Sequence, residues 1–354
     1  MRPSFNKGEW SEIYVACFLV YQGELEVHND GSYLIDGISS VDGDYSIRRN
    51  DGDSVAIDFG LERFGMERSE FGHAARAIRD RILSEGDGRG SFSIPEIDGF
   101  LESSGILRIR PGSGSRSDIS VLARDRYTGS AEDLTFSIKS LVGGRPTILN
   151  VSEGSGIDFM IVGDMNTEIQ ETVNSLDGVK ERIAYLKDNG FLLKYAEYRN
   201  ETFHYNLSKV DSRFPEIFAY SVAVYYSIRG SSMSRIINGM ETEGDPATNA
   251  CFRRDFSDFP VRFKFGELLM HAASGMTTTR EWEGNYDVSG GYIIVGQSGN
   301  ITCFAQNGVR EMKEYLLENS CMDTPATRRH NFGMVYESDD GFFITLMAQV
   351  RICT

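Results

Sequence analysis

Two segments of alternating apolar and polar residues, joined by a turn, constrain this chain more than any other feature. SDISVLARD (117–125) puts Ile119, Val121 and Ala123 on one side, RYTGSAED follows, and LTFSIKSLV (134–142) runs back. Alternation with a period of two is the pattern of a half-buried strand. The pair therefore predicts an antiparallel β-hairpin.

The rest of the chain surrounds this hairpin with both kinds of element. Trp10, Ile13, Tyr14, Cys17 and Phe18 fall at i, i+3, i+4, i+7 and i+8, which predicts an amphipathic helix over 8–21. Short apolar runs broken by Gly, Asn and Asp over 25–60 predict small strands and turns. Helices are expected over 70–85, 94–105, 168–188, 215–228, 262–273 and 308–318. Further strands are expected over 158–164, 290–296, 300–306, 330–338 and 341–352. With 354 residues the chain has the length of roughly two domains. The expected division is 1–175, carrying the first helix and the hairpin, and 176–354, a helical segment with a β-rich C-terminal region. The fold class is α/β in the mixed α+β sense.

Charge and cysteine usage narrow the function classes. Thirty-six basic against 52 acidic residues leave a formal net charge of −16, which disfavours non-specific coating of nucleic acid. A cleft can still carry the opposite local sign. Cys17, Cys251, Cys303, Cys321 and Cys353 are scattered and odd in number, so reduced thiols are expected rather than a zinc site or a disulfide framework. The apolar run Ile13–Tyr21 follows Glu9 and Glu12 and lacks a small-residue cleavage site, unlike a signal peptide. No stretch reaches the ~18 apolar residues of a membrane span. A soluble cytoplasmic protein is expected.

The hairpin also carries the best candidate chemistry. Asp118 opens its first strand, and Ser137 and Lys139, two apart, project from one face of its second. A carboxylate facing a lysine across adjacent strands suits metal-dependent phosphodiester hydrolysis. The acid holds Mg²⁺, and the lysine orients a water and offsets transition-state charge. The generic pattern is Asp, a spacer, then (Asp/Glu)-x-Lys, and Ser137 stands where the second acid belongs. The same residues also suit an ordinary solvated face. A further acid must come from Glu9 or Glu12, three apart on the first helix, or from Glu153, 14 positions after Lys139. The bland alternatives are helix-end acids favoured by the macrodipole and a loop acid in SEGSG.

NKGEWSEIYV (6–15), LTFSIKSLVGGRPTILNVS (134–152), WEGNYDVSGGYIIV (282–295), ENSCMDTPATRRHNFGMVY (318–336) and the closing FFITLMAQVRI resemble the HpaII family of type II restriction endonucleases. The matching segments run from the first helix to the last strand. The resemblance implies a PD-(D/E)xK nuclease core, a central mixed sheet flanked by helices, with an additional C-terminal α+β region. It implies hydrolysis of double-stranded DNA, at CCGG or a related palindrome, leaving 5′-phosphate ends. Asp118 and Lys139 are then catalytic, with Glu9 or Glu12 as a further acid. Ser137 matches the family's own FSIKS form, and Ser117 replaces the generic proline at a position that is not a ligand. Mg²⁺ would be held by Asp118, the Ile138 carbonyl and one glutamate, with Glu9 a candidate.

Guanine is read well by bidentate arginine or lysine, so Arg328, Arg329 and His330, and also Arg253 and Arg254, are candidate DNA-binding residues. Phosphate contacts or plain surface positions are the alternatives for each. Asp287 and the glycines of WEGNYDVSGG suit either a turn that lets backbone approach DNA or an ordinary hairpin turn. His28, His73, His204 and His271 lack metal-ligand spacing and read as structural. A palindromic target favours a homodimer, at least on DNA. A cognate methyltransferase would act on the same site without direct contact. A DNA-binding module with a decayed site, or an unrelated soluble enzyme, would carry the same hairpin. Metal-dependent cleavage separates the first from the nuclease, and absence of DNA affinity marks the second.

Overall fold

The computed structural model describes residues 2–29, 31–50, 52–85, 90–109, 117–126, 128–142, 144–152, 154–241, 256, 258–284, 288–305, 308–330 and 332–353. Within the helix Thr327–His330, the side chains of Arg328 and Arg329 lie outside the described part. The chain separates into two compact units. One comprises Met1–Pro146 with Tyr286–Met312, the other Thr147–Asn285 with Lys313–Thr354. The sequence-based division between 175 and 176 falls inside the second of these.

The first unit is built on one mixed sheet. Helix α1 (Lys7–Gln22) starts at Asn6, whose side chain accepts from the Glu9 amide while Glu9 accepts from the Asn6 amide. It ends at Gly23, which takes the left-handed conformation (φ 71°) that glycine adopts without steric cost. The expected small strands are β1 (Glu24–Glu26), β2 (Ser32–Ser39), β3 (Tyr45–Arg49) and β4 (Ser54–Phe59). A strand that the sequence reading did not assign, β5 (Glu62–Glu67), closes the edge. Helix α2 (Arg68–Ser84) packs on α1, and the stretch expected to be one helix over 94–105 is a 3-10 turn followed by α3 (Asp98–Ser104).

The hairpin forms as expected from β6 (Ile119–Asp125) and β7 (Ala131–Ser140), with Ile119 opposite Phe136 and Val121 opposite Leu134. Strand β11 (Gly291–Val295) returns late in the sequence and pairs in parallel with β7, and β12 (Ile301–Ala305) pairs with β11. The sheet order is β12-β11-β7-β6-β2-β3-β4-β5, with β1 beside β2. β7 is therefore an interior strand. Its Phe136 ring is fully buried and covers Gly290, where a Cβ would sit 2.4 Å from the ring. That glycine is a packing requirement of the strand entry, and Asp287 lies outside the described residues. Trp10, Ile13, Leu19 and Val20 of α1 join Ile35, Val121, Phe136 and Ile293 in one buried core.

The second unit has two antiparallel sheets. One contains β9 (Ile157–Val162), β10 (Leu192–Tyr198), β14 (Val335–Ser338) and β15 (Gly341–Leu346), ordered β10-β9-β15-β14. The other contains β8 (Thr147–Leu149), β13 (Ser320–Asp323) and β16 (Gln349–Ile352), ordered β13-β16-β8. The closing run expected as one strand over 341–352 is thus two strands in different sheets. The carbonyl of Met347 between them leaves the ladder and accepts from the buried Tyr226 hydroxyl at 2.6 Å. No Gly, Pro, Asn or Asp lies between Phe342 and Ile352 to mark that break in the sequence.

The helix expected over 168–188 is likewise two, α4 (Thr167–Asn174) and α5 (Val179–Asp188), interrupted before Gly178. Helices α6 (Glu201–Ser208), α7 (Phe214–Ser227), α8 (Met233–Glu241) and α9 (Val261–Ala273) complete the layer. Helix α10 (Val309–Asn319) is where the chain passes into the second unit for the last time, and α11 (Thr327–His330) is a single turn. The 330–338 segment is therefore helical turn first and strand only from Val335.

The thiol expectation needs one correction. Cys17 and Cys303 are buried and free, but Cys321 on β13 and Cys353 after β16 form a disulfide, their Cα atoms 5.8 Å apart. Strand pairing juxtaposes them although 32 positions separate them in sequence. Cys251 lies outside the described residues. Among the described residues, no helix is long and apolar enough to cross a membrane.

Candidate active site

The hairpin register brings three of the sequence-selected residues together. Asp118 immediately precedes β6, and its amide donates to the Phe136 carbonyl at 2.8 Å. The turn of chain at that point aims its carboxylate at the opposite strand. Asp118 Oδ2 accepts from the Ile138 amide at 2.6 Å and from Ser137 Oγ at 3.2 Å. Ser137 Oγ in turn accepts from Lys139 Nζ at 3.0 Å. Ser137 is buried, so its hydroxyl holds the acid and the amine from beneath rather than competing with solvent for them. Among the described residues, Asp118 Oδ1 accepts no hydrogen bond.

A second element reaches the same place. Ser11, fully buried on α1, donates to the Lys7 carbonyl at 2.8 Å, and its Oγ lies 2.8 Å from Ser140 Oγ at the end of β7. This contact docks the first turn of the helix beside Lys139. A cleft of about 230 Å³ lies there, lined by Lys7, Gly8 and Glu12 of α1, Ile138, Lys139 and Ser140 of β7, and Arg145 of the following loop.

The two helix acids have different employment. Glu9 closes the capping box, its Oε2 accepting from the Asn6 amide at 2.8 Å while Asn6 Oδ1 accepts from the Glu9 amide at 3.0 Å. Glu12, one turn further, faces the cleft with Lys139. The Asn-x-x-Glu pattern at 6–9 is a capping signature that the sequence reading did not use, and it is the signal that could have set Glu9 apart.

The remaining candidates are elsewhere. Glu153, Arg253 and Arg254 lie outside the described residues, as do the side chains of Arg328 and Arg329. His330 ends α11, and its buried Nδ1 has no hydrogen-bond partner among the described residues. A larger cavity, about 560 Å³, opens at the start of α5 beside Thr327 and Phe332 in the second unit and contains neither Asp118 nor Lys139. The other histidines are packed or surface groups. His28 tilts over Phe304 with ring centres 4.8 Å apart, His204 meets Tyr198 at 5.6 Å, His271 lies 5.9 Å from Trp282, and His73 is exposed on α2. Sequence spacing did not single out Lys7, Ser11, Ser140 or Arg145, because each reaches the site through the docking of α1 or the loop after β7.

Among the described residues no group of three or more His, Cys, Asp or Glu side chains could hold a metal ion. The oxygen donors to consider are the Asp118 carboxylate, the carbonyl of Ile138, whose amide donates to that carboxylate, and Glu12 of the adjoining cleft. Such hard donors suit Mg²⁺, which is commonly held by one or two carboxylates plus substrate phosphate and water rather than by a full protein cage.

Comparison with known proteins is consistent along the whole chain. A family model described as HpaII restriction endonuclease matches residues 6–352. The type II restriction enzyme HpaII of Haemophilus parainfluenzae is 30% identical over 357 residues, covering 98% of each chain. No solved structure matches.

Proposed function

This chain belongs to the HpaII restriction endonuclease family and is a type II site-specific deoxyribonuclease, and from that premise we propose that the Asp118–Ser137–Lys139 constellation is its cleavage centre. The observation that carries the reading is the hydrogen-bonded line from the Asp118 carboxylate through Ser137 Oγ to Lys139 Nζ at the cleft beside α1. The target is CCGG or a related palindrome in double-stranded DNA, and the products carry 5′-phosphate and 3′-hydroxyl ends.

Asp118, the Ile138 carbonyl and Glu12 would hold Mg²⁺, with Glu12 preferred to Glu9 because Glu12 lines the cleft with Lys139. When bound, the cation supplies Lewis-acid polarisation of the scissile phosphate and a lower pKa for attacking water. The protein's own groups do the positioning. The Ile138 amide and Ser137 hydroxyl fix Asp118 through Oδ2. Lys139, held by Ser137, orients the water for in-line attack and offsets the charge that builds on the phosphoryl oxygens. Ser137 thereby takes a positioning role at the place where related nucleases carry a second acid.

A two-fold palindrome is served by a homodimer on DNA, each subunit cutting one strand. His330, Arg328 and Arg329, with Arg253 and Arg254, remain the candidate DNA-reading residues. The enzyme would work in the cytoplasm, with a methyltransferase protecting the same sequence in host DNA.

The test is a digestion of unmethylated DNA of known sequence by wild type and Lys139→Ala, with and without Mg²⁺, followed by sequencing of the ends. Discrete fragments that require Mg²⁺ and vanish in the variant are expected. Undiminished cutting by Lys139→Ala would move the cleavage centre elsewhere.

A further inference from the structure

The cleavage cleft has a charge pattern opposite to that of the chain around it. Three cations, Lys7, Lys139 and Arg145, line it with one carboxylate, Glu12, and the Asp118 carboxylate adjoins it through Ser137 without lining it, in a protein of formal net charge −16. Only Lys139 has a place in the cleavage reading so far. A clustering of positive charge inside a cleft of an acidic protein focuses the local field on an anion, and the anion that must enter here is a DNA backbone.

The two further cations are positioned by the same contacts that build the centre. Lys7 is the first residue of α1, and its carbonyl accepts from Ser11 Oγ, which meets Ser140 Oγ next to Lys139. Lys7 is therefore tied to the catalytic strand through two hydrogen bonds. The helix N-terminus it sits on also favours negative charge. Arg145 is exposed on the loop that leaves β7, six positions after Lys139, and it precedes Pro146, which disfavours helical backbone at that position. An exposed guanidinium at a cleft rim presents a planar fork that matches phosphate oxygens two at a time.

We propose that Lys7 and Arg145 grip the DNA phosphates flanking the one that is cut, and so set the scissile phosphate against Asp118 and Lys139. Both are substrate-contacting residues. They bind through backbone phosphates and carry no base specificity of their own. The proposal rests on the reading of this cleft as the cleavage centre, and the experiment separates the two.

Lys7→Gln, Arg145→Gln and the double variant would be compared with wild type and Lys139→Ala, all as the full chain. Binding to a duplex containing the target would be measured with Ca²⁺ in place of Mg²⁺ over a series of salt concentrations. Each phosphate contact contributes a slope of about −0.9 to the dependence of log affinity on log salt, so the double variant is expected to have a slope shallower by about 2. Duplexes bearing a neutral methylphosphonate at one flanking position provide the second readout. The loss caused by Arg145→Gln should disappear on the duplex that already lacks the charge Arg145 contacts, and Arg145→Lys should recover part of the affinity on the unmodified one. If wild type cuts and Lys139→Ala does not, yet both variants retain the wild-type salt slope and respond additively to the methylphosphonates, this assignment is overturned and the cleavage centre stands. If wild type neither binds nor cuts, the cleavage reading falls and this assignment falls with it. Arg145 is exposed, so its substitution leaves the core intact and that variant alone suffices for the test.

Discussion

Ser11 Oγ on the first helix and Ser140 Oγ at the end of β7 lie 2.8 Å apart although 129 positions separate them in sequence. The contact joins the element that supplies Glu12 and Lys7 to the element that supplies Lys139. It is the point at which two sequence-distant halves of the cleft become one site.

Ser140→Ala should therefore weaken both the fold and catalysis. The substitution removes two neutral hydrogen bonds, the one with Ser11 Oγ at 2.8 Å and the one accepted from the Val142 amide at 3.2 Å, while Ser11 Oγ keeps its bond to the Lys7 carbonyl. Each is worth about 0.5–1.5 kcal/mol to stability, so denaturant titration should show a loss of about 1–3 kcal/mol. Single-turnover cleavage per folded molecule should fall roughly tenfold, as about 1.4 kcal/mol of lost positioning implies, with a smaller loss of DNA affinity in Ca²⁺ through Lys7. Equal losses of binding and cleavage would contradict a positioning role.

The two helix glutamates should separate cleanly. Glu9→Ala removes one arm of the capping box and should cost about 0.5–1 kcal/mol of stability, with cleavage per folded molecule retained. Glu12→Gln leaves the cap in place. Outer-shell changes alone commonly cost roughly 10–100-fold in metal affinity, so loss of a direct ligand should raise the Mg²⁺ requirement at least that far. Measuring cleavage against Mg²⁺ concentration for both variants decides between them, and a shifted requirement in Glu9→Ala alone would reverse the assignment.

Ser137→Ala should leave the DNA concentration at half-maximal rate unchanged and lower the maximal rate. The hydroxyl bonds both a carboxylate and an amine. Hydrogen bonds to charged groups are worth about 1.5–3 kcal/mol, which predicts a rate loss of roughly 10–100-fold. A rate equal to wild type would reduce Ser137 to a space-filling residue.

His271 should make the protein acid-sensitive. Burial lowers its pKa below the ordinary histidine range, the Glu267 carboxylate works against that shift, and Lys313 adds to it. The folded protein thus prefers the neutral ring, while the unfolded chain takes up the proton first as pH falls. The stabilising contribution is complete above the unfolded value of roughly 6.5 and is lost as pH drops through the lower folded value. Urea midpoints near neutrality and at about pH 5.5 should fall more for wild type than for His271→Gln. Parallel declines in the two proteins would count against this group as the cause.

Several parts of the fold were legible because they are local. Alternation in 117–125 and 134–142 specified the hairpin, and its register follows from burying Ile119, Val121 and Phe136 on one face. Once the hairpin exists, Asp118 must face the strand that carries Ser137 and Lys139. The first helix was readable from its apolar stripe, while its cap at Asn6 and Glu9 emerged only with the structure. The breaks inside 168–188 and 341–352 were not readable. In the second case the interruption depends on the Tyr226 hydroxyl, more than a hundred positions away, satisfying the Met347 carbonyl.

The sequence by itself determined the hairpin, the first helix over 8–21, and the acid–serine–lysine constellation, because each depends on side-chain periodicity or on spacing of a few residues. The tertiary structure decided that β11 lies in parallel beside β7, that Ser11 meets Ser140, that Glu12 rather than Glu9 faces the cleft, and that Lys7 and Arg145 share it. Those relationships arise when the buried faces of distant elements close on a common core, and no local pattern encodes which distant surface a residue will meet.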